Sequence, residues 1–156
     1  MLLLKNKKAT FNYEILEKFV VGVSLLGTEV KSLKNKKGSF EGSFVTISSP
    51  KKNPNKNDIF LKNFFIPPYQ EKNTPESYDS YRERRLLFKK REIIAIKKKM
   101  KSQRLTIVPI SFSLKNQLIK LEVALVRGKK KYDKREDIKK KDDKRNVERE
   151  VKAKLR

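Results

Sequence analysis

Two stretches of alternating sequence constrain this chain more than any other feature. Thr106, Val108, Ile110, Phe112 and Leu114 fall on one face of an extended segment, and Ile119, Leu121, Val123 and Leu125 share a face of the next. A side-chain period of two is that of a half-buried β-strand, and the short Lys115-Asn116-Gln117 connection makes the pair an antiparallel hairpin. Pro109 lies inside the first run and cannot donate to a ladder, so an edge strand or a bulge is predicted there. The rest of the domain must be built onto this hairpin.

Upstream segments supply further strands. Residues 13–23 mix β-branched and aromatic side chains with partial alternation through Tyr13, Ile15 and Phe19; 43–48 alternate about Phe44, Thr46 and Ser48; and 59–66 end at Pro67-Pro68. Between the second and third lies a turn over 49–58 rich in Pro, Asn and Lys. Gly27-Thr28 punctuates the chain, with Thr28 placed to cap a short helix running to Leu33. Residues 69–83 read as a polar surface excursion with Tyr69, Tyr78 and Tyr81 as anchors or stacking surfaces. From Arg85 to Lys101 the heptad spacing of Leu86, Ile93 and Met100 predicts an amphipathic helix. Five or six strands with little helix point to a mainly β fold: a small, closed or partly closed antiparallel barrel over 1–127.

Beyond Gly128 the composition changes. Residues 128–156 carry 14 basic and 7 acidic side chains with few apolar ones, too little apolar area to offset the entropy of ordering them alone. Yet Val147, Val151 and Leu155 recur at i, i+4, i+8, and Asp137–Lys141, Glu148–Lys152 and Glu150–Lys154 are acid-before-base pairs at helical spacing. The tail is therefore expected to be disordered or helical, with the pattern of a helix awaiting a surface.

Charge narrows the function. Lys and Arg number 41 against 18 Asp and Glu, a formal net charge of +23, more than solubility needs, and nucleic acid is the natural counterpart. Cys and His are both absent. Disulfides, thiol nucleophiles and Cys-ligated zinc are excluded, and the side chain most used as general base or metal ligand is missing. No catalytic group, metal or cofactor is expected. Met1-Leu2-Leu3-Leu4 is cut off by Lys5, well short of a signal or spanning segment, so the expectation is a cytoplasmic monomer with no membrane partner.

Several clusters are candidate contacts. Lys129, Lys130, Tyr132, Asp133, Lys134 and Arg135 combine phosphate-binding cations with an aromatic that can stack on a base, although the same run would serve as a solvated hinge. Glu29, a carboxylate in a very basic chain, either caps a helix or accepts hydrogen bonds from a base edge. Lys90 and Arg91 would face solvent or phosphate equally well, and Asn6-Lys7-Lys8 reads as a frayed terminus or an arm.

In order and spacing, Asn6-Lys7-Lys8-Ala9, Gly27-Thr28-Glu29-Val30-Lys31-Ser32-Leu33, Leu86-Leu87 with Lys90-Arg91-Glu92-Ile93, Leu105-Thr106-Ile107-Val108-Pro109, Gly128-Lys129-Lys130 and Tyr132-Asp133-Lys134-Arg135 resemble the SsrA-binding (small protein B) family over about residues 5–150. The resemblance implies an OB-like barrel with short flanking helices that binds the tRNA-like part of transfer-messenger RNA and enters the A site of a stalled ribosome. It implies that Asn6, Lys7, Lys8, Glu29, Lys31, Lys90 and Arg91 lie on or near the RNA-facing surface. Lys129 to Arg135 and the tail, with Asp137, Lys139, Val147, Val151 and Leu155, would serve the ribosomal decoding centre and mRNA channel. Where relatives usually read Ala-Arg-His-Glu/Asp-Tyr, this chain has Ala9-Thr10-Phe11-Asn12-Tyr13 and so loses a cation and an imidazole. A structural protein of a ribosomal subunit would share the basic arm and small β domain. A metal-dependent RNA-processing enzyme would need close acidic pairs, whereas Glu29 and Glu122 stand isolated in sequence.

Overall fold

The structure, a computed structural model, describes residues 1–48 and 58–154. Of the predicted 49–58 turn, residues 49–57 lie outside the described residues, as does Leu155, and Asp58 belongs to the following strand. The elements in chain order are β1 (Leu2–Lys5), α1 (Lys7–Asn12), β2 (Tyr13–Val23), α2 (Gly27–Lys34), β3 (Phe44–Ser48), β4 (Asp58–Lys62), β5 (Arg84–Leu87), α3 (Lys90–Gln103), β6 (Thr106–Lys115), β7 (Leu118–Gly128) and α4 (Lys131–Lys154). All seven strands join one antiparallel sheet in the order β1-β6-β7-β2-β5-β4-β3. The sheet curls until β3 packs against β6, but no strand pairing among the described residues closes the ring. The expected barrel is thus an open, curled sheet that includes two strands not predicted from the sequence, β1 and β5.

The hairpin forms as read. Asn116 and Gln117 both take positive φ, 48° and 63°, giving the tight turn whose twist matches the flanking strands. Pro109 does not mark an edge, because β6 pairs with both β1 and β7. It marks a bulge: the β6–β7 register shifts between Pro109 and Ser111. The extra residue exchanges the faces of the strand. Ile107 and Phe112 both enter the main core, while Val108 and Ile110 join Ala9, Ala124 and Val126 in a second cluster outside the sheet, beneath α1. The predicted single face from Thr106 to Leu114 is therefore two half-faces.

The heptad reading of 85–101 is corrected at its start. Arg84–Leu87 is β5, paired with β2 and β4, and α3 begins only at Lys90, where the Glu92 carboxylate accepts the Lys89 N–H at 2.8 Å. Leu86 reaches the core from a strand; Ile93 and Ile96 reach it from the helix. Likewise β4 stops at Lys62 rather than running to Ile66, because Asn63 turns to φ 55°. The terminal Met1–Lys5 segment holds an edge strand, and Asn6 is the N-cap of α1 rather than part of a frayed end.

The main core centres on Phe40, Phe64 and Phe112, with ring centroids 4.7 to 5.6 Å apart. Gly38 passes beside it with φ +153°, and a Cβ there would lie 3.0 Å from the Leu4 side chain and 3.2 Å from both the Phe64 ring and the Phe65 carbonyl. Gly38→Ala should cost about 1–3 kcal/mol of stability, read as a lower urea midpoint with an unchanged m-value.

Candidate nucleic-acid interface

The side-chain period of two along β5 decides what lies at the centre of the interface. In Arg82-Glu83-Arg84-Arg85-Leu86-Leu87, Arg82, Arg84 and Leu86 project to one side, so Arg84 enters the core as Leu86 does: it is fully buried while Arg85 is exposed. A buried guanidinium needs a carboxylate and several further acceptors. Glu29, also fully buried, supplies the carboxylate from the first turn of α2. Its Oε1 accepts from Arg84 Nε at 2.9 Å and lies 2.7 Å from Arg84 Nη2. The Phe64, Arg82 and Ser80 carbonyls accept the remaining Arg84 donors at 2.6, 3.1 and 3.0 Å. Arg82 closes the other side, its Nε donating to Oε1 at 2.9 Å and its Nη2 to Oε2 at 2.5 Å, while the Leu26 N–H donates to Oε2 at 2.8 Å.

This cluster decides between the two readings of Glu29: the carboxylate caps α2 and has no surface to offer a base edge. Thr28 is not the cap; Leu26 is the N-cap residue, and Glu29 takes its N–H. Burial alone would raise the Glu29 pKa, but hydrogen bonds from Arg82 and the Leu26 N–H, with the charge and hydrogen bond of Arg84, hold it below the usual carboxylate range. The same cluster fixes the polar excursion after Pro68. Tyr78 Oη donates to the Ile66 carbonyl at 2.9 Å, Ile66 N–H donates to the Ser80 carbonyl at 3.0 Å, and Tyr81 packs on Phe65 with ring centroids 5.2 Å apart.

Two grooves open on either side of the Lys37–Gly38 turn. One, of about 450 Å³, runs between α1, with Asn6, Lys7 and Lys8, and the Gly38–Phe44 segment. The other, of about 460 Å³, is lined by Lys37 and residues 68–73; Lys31 lies 5.5 Å over the ring of Tyr69 at its wall. Asn6 does not face outward. Its Oδ1 accepts the Ala9 N–H at 3.1 Å and its Nδ2 donates to the Pro109 carbonyl at 3.0 Å, so it fixes α1 on the β6 bulge and leaves Lys7 and Lys8 exposed. Lys8 meets Glu41 across the first groove at 2.8 Å, an exposed pair of little energetic weight.

The remaining predicted residues divide by place. Lys90 and Arg91 are exposed on the first turn of α3. At the end of β7 the Lys129 N–H donates to the Asn12 carbonyl at 3.1 Å, joining the tail to α1, and Lys130 is exposed beside it. Asp133, Lys134 and Asp137 fall within α4, which also presents Tyr132, Arg135, Lys139, Val147 and Val151 to solvent. Sequence reasoning missed Arg82, Arg84, Lys37 and the Lys31–Tyr69 contact. The period-two run ending in Leu86-Leu87 held the signal for the arginines.

The SmpB protein family model matches residues 3–153 of the chain. The chain belongs to the SmpB family. The SsrA-binding protein of Borreliella burgdorferi is 47% identical over 153 residues, 98% of this chain and 97% of that one. That of Mycoplasma mycoides is 42% identical over 144 residues, covering 92% and 93%. Among solved structures, one described as "tmRNA-SmpB: a journey to the center of the bacterial ribosome" superposes with a TM-score of 0.63 at 35% identity, covering 82% of this chain and 85% of that chain. The 98% coverage by SsrA-binding proteins takes in α1, α2, α3 and the start of α4 alike.

Removing one partner of the Glu29–Arg84 pair leaves a buried charge uncompensated, so Arg84→Met should cost about 3–5 kcal/mol in urea unfolding. The pH dependence has a definite sign. A carboxylate whose folded pKa lies below its unfolded one stabilises the fold fully above the ordinary carboxylate range and loses that contribution as pH falls through the depressed value. The stability gap between the wild-type protein and Glu29→Gln should thus be widest near neutrality and shrink below about pH 4.

Proposed function

We propose that this protein is the RNA-binding accessory factor of trans-translation: it binds the tRNA-like part of transfer-messenger RNA and carries it to stalled ribosomes. The observation that supports this most is the SmpB family match over residues 3–153, with SsrA-binding proteins identical at 47% along 98% of the chain. The exposed chemistry agrees with it. Lys7 and Lys8 beside one groove, and Lys31 and Lys37 beside the other, would meet the phosphates of a folded RNA, while Tyr69 would offer an aromatic edge for an unpaired base. Lys90 and Arg91 add cations on α3. Asn6 and Glu29 act on the RNA through the side chains they hold in place.

The tail takes the second task. Of the net charge of +23, residues 128–156 carry +7. Along α4, Tyr132 is 70% exposed and Val147 and Val151 are also exposed, so these side chains are available to an apolar surface outside the domain. Lys129, Lys130, Tyr132, Asp133, Lys134 and Arg135 would meet the ribosome near the decoding centre, with Asp137, Lys139, Val147, Val151 and Leu155 following along the vacant mRNA channel. The protein acts in the cytoplasm, as a monomer and without catalysing a reaction. No helix among the described residues is long and apolar enough to cross a membrane.

Sequencing the RNA that co-purifies with the full-length protein tests the assignment: one abundant tRNA-like species with an internal reading frame is expected, and ribosomal RNA at one copy per ribosome would replace the reading with that of a structural ribosomal protein. Truncation after Gly128 should keep most affinity for transfer-messenger RNA and abolish tagging on stalled ribosomes; equal loss of both would remove the division of labour between domain and tail.

A further inference from the structure

Helix α3 carries a surface that neither groove absorbs. Ile93, Ile96 and Met100 turn one face to the core, and Lys99 is tied back to Glu17 of β2 at 2.5 Å. A second stripe points away. Lys90, Ile94, Lys98 and Lys101 lie at i, i+4, i+8 and i+11, with Arg91 on its flank, and all five are exposed, Ile94 at 66%. At 1.5 Å per residue the stripe is about 16 Å long.

Its cations are uncompensated. Elsewhere on the domain some cations have found carboxylates, Lys8 with Glu41, Lys18 with Glu122, Lys62 with Glu83 and Arg85 with Asp58, while Lys7, Lys31 and Lys37 beside the grooves stay exposed. Among the described residues Lys90, Arg91, Lys98 and Lys101 have no such partner. Lys98 and Lys101, three residues apart on one helix, repel each other. Interaction with the carboxyl end of the helix dipole offsets part of this for Lys101, in the last turn, but not for Lys90 or Arg91 at the opposite end. A ligand carrying closely spaced negative charges along a line would relieve the repulsion over the whole ridge.

The ridge also indicates what kind of nucleic acid it fits. Single strands are held by stacking bases on aromatic side chains, and α3 contains none. Cations in a row around one aliphatic side chain suit the phosphates and sugars of a double helix, read by shape. We propose that Lys90, Arg91, Lys98 and Lys101, around Ile94, grip the backbone of a double-helical arm of the same transfer-messenger RNA, extending the interface beyond the first turn of α3 to its far end. This rests on the function proposed above.

The test uses the full-length protein, a transcript of transfer-messenger RNA, and purified ribosomes lacking that RNA. Gln is close to Lys in helix propensity, so Lys98→Gln/Lys101→Gln should keep the thermal midpoint of the wild-type protein. It should weaken binding to the transcript about ten- to thirtyfold at physiological salt and reduce the slope of log affinity against log salt by about 2, near 0.9 for each phosphate no longer neutralised. Lys98→Arg/Lys101→Arg should retain the wild-type slope. An unchanged slope for the Gln variant, with the wild-type protein still binding steeply, would overturn the ridge alone. A reduced slope seen only with ribosomes would overturn it in favour of ribosomal RNA. Failure of the wild-type protein to bind the transcript would instead sink the proposed function.

Discussion

The buried contact between Glu29 and Arg84 organises the side of the domain that carries the second groove. Neither ion is tolerable alone in an interior, and together they would remain costly if the other guanidinium donors and the second carboxylate oxygen found no partners. Here the set is complete: two arginines, one carboxylate, an amide N–H and backbone carbonyls from Phe64 and Ser80 converge. The partners come from four parts of the chain, so satisfying the cluster fixes the start of α2, the Phe64 segment after β4, the excursion after Pro68 and β5 relative to one another. Exposed Lys31 and half-buried Tyr69 inherit their positions from it. A surface that must meet a polyanion cannot hold its own cations still by pairing each with a carboxylate; the alternative is to pair a few completely and out of water.

Much of the architecture was legible because strand periodicity is a local signal. The hairpin, β2 and β3 follow from alternation, and the open sheet arises from their pairing. The parts that were not legible have particular causes. Leu86, Ile93 and Met100 fall at heptad spacing although the first belongs to a strand, and the Glu92 side chain at the Lys89 N–H marks the true helix start. Leu2–Leu4 were too few to be read as more than an apolar terminus, and only pairing with Ser111–Ser113 makes them a strand.

The interface was legible in kind more than in arrangement. Charge and motif order indicated RNA, and Lys7, Lys8, Lys31, Lys90 and Arg91 are exposed. Asn6 and Glu29 have their polar side-chain atoms engaged within the fold, and a polar side chain near a candidate surface can serve it from below as well as from above. That distinction depends on which donors and acceptors come within reach across the fold, Arg82 and Arg84 for Glu29 and the Pro109 carbonyl for Asn6, and no spacing within a motif carries it.

The bulge between Pro109 and Ser111 has a further consequence for how the chain finds its fold. Without the extra residue, a strand that placed Ile107 inside would place Ser111 and Ser113 inside and turn Phe112 out. Neither of the two regular pairings can therefore satisfy both halves of β6, and each wrong alignment forfeits either the Phe112 contacts or the Ile107 contacts. The irregularity locks the register: a hairpin slipped by one residue is penalised by half of its own side chains.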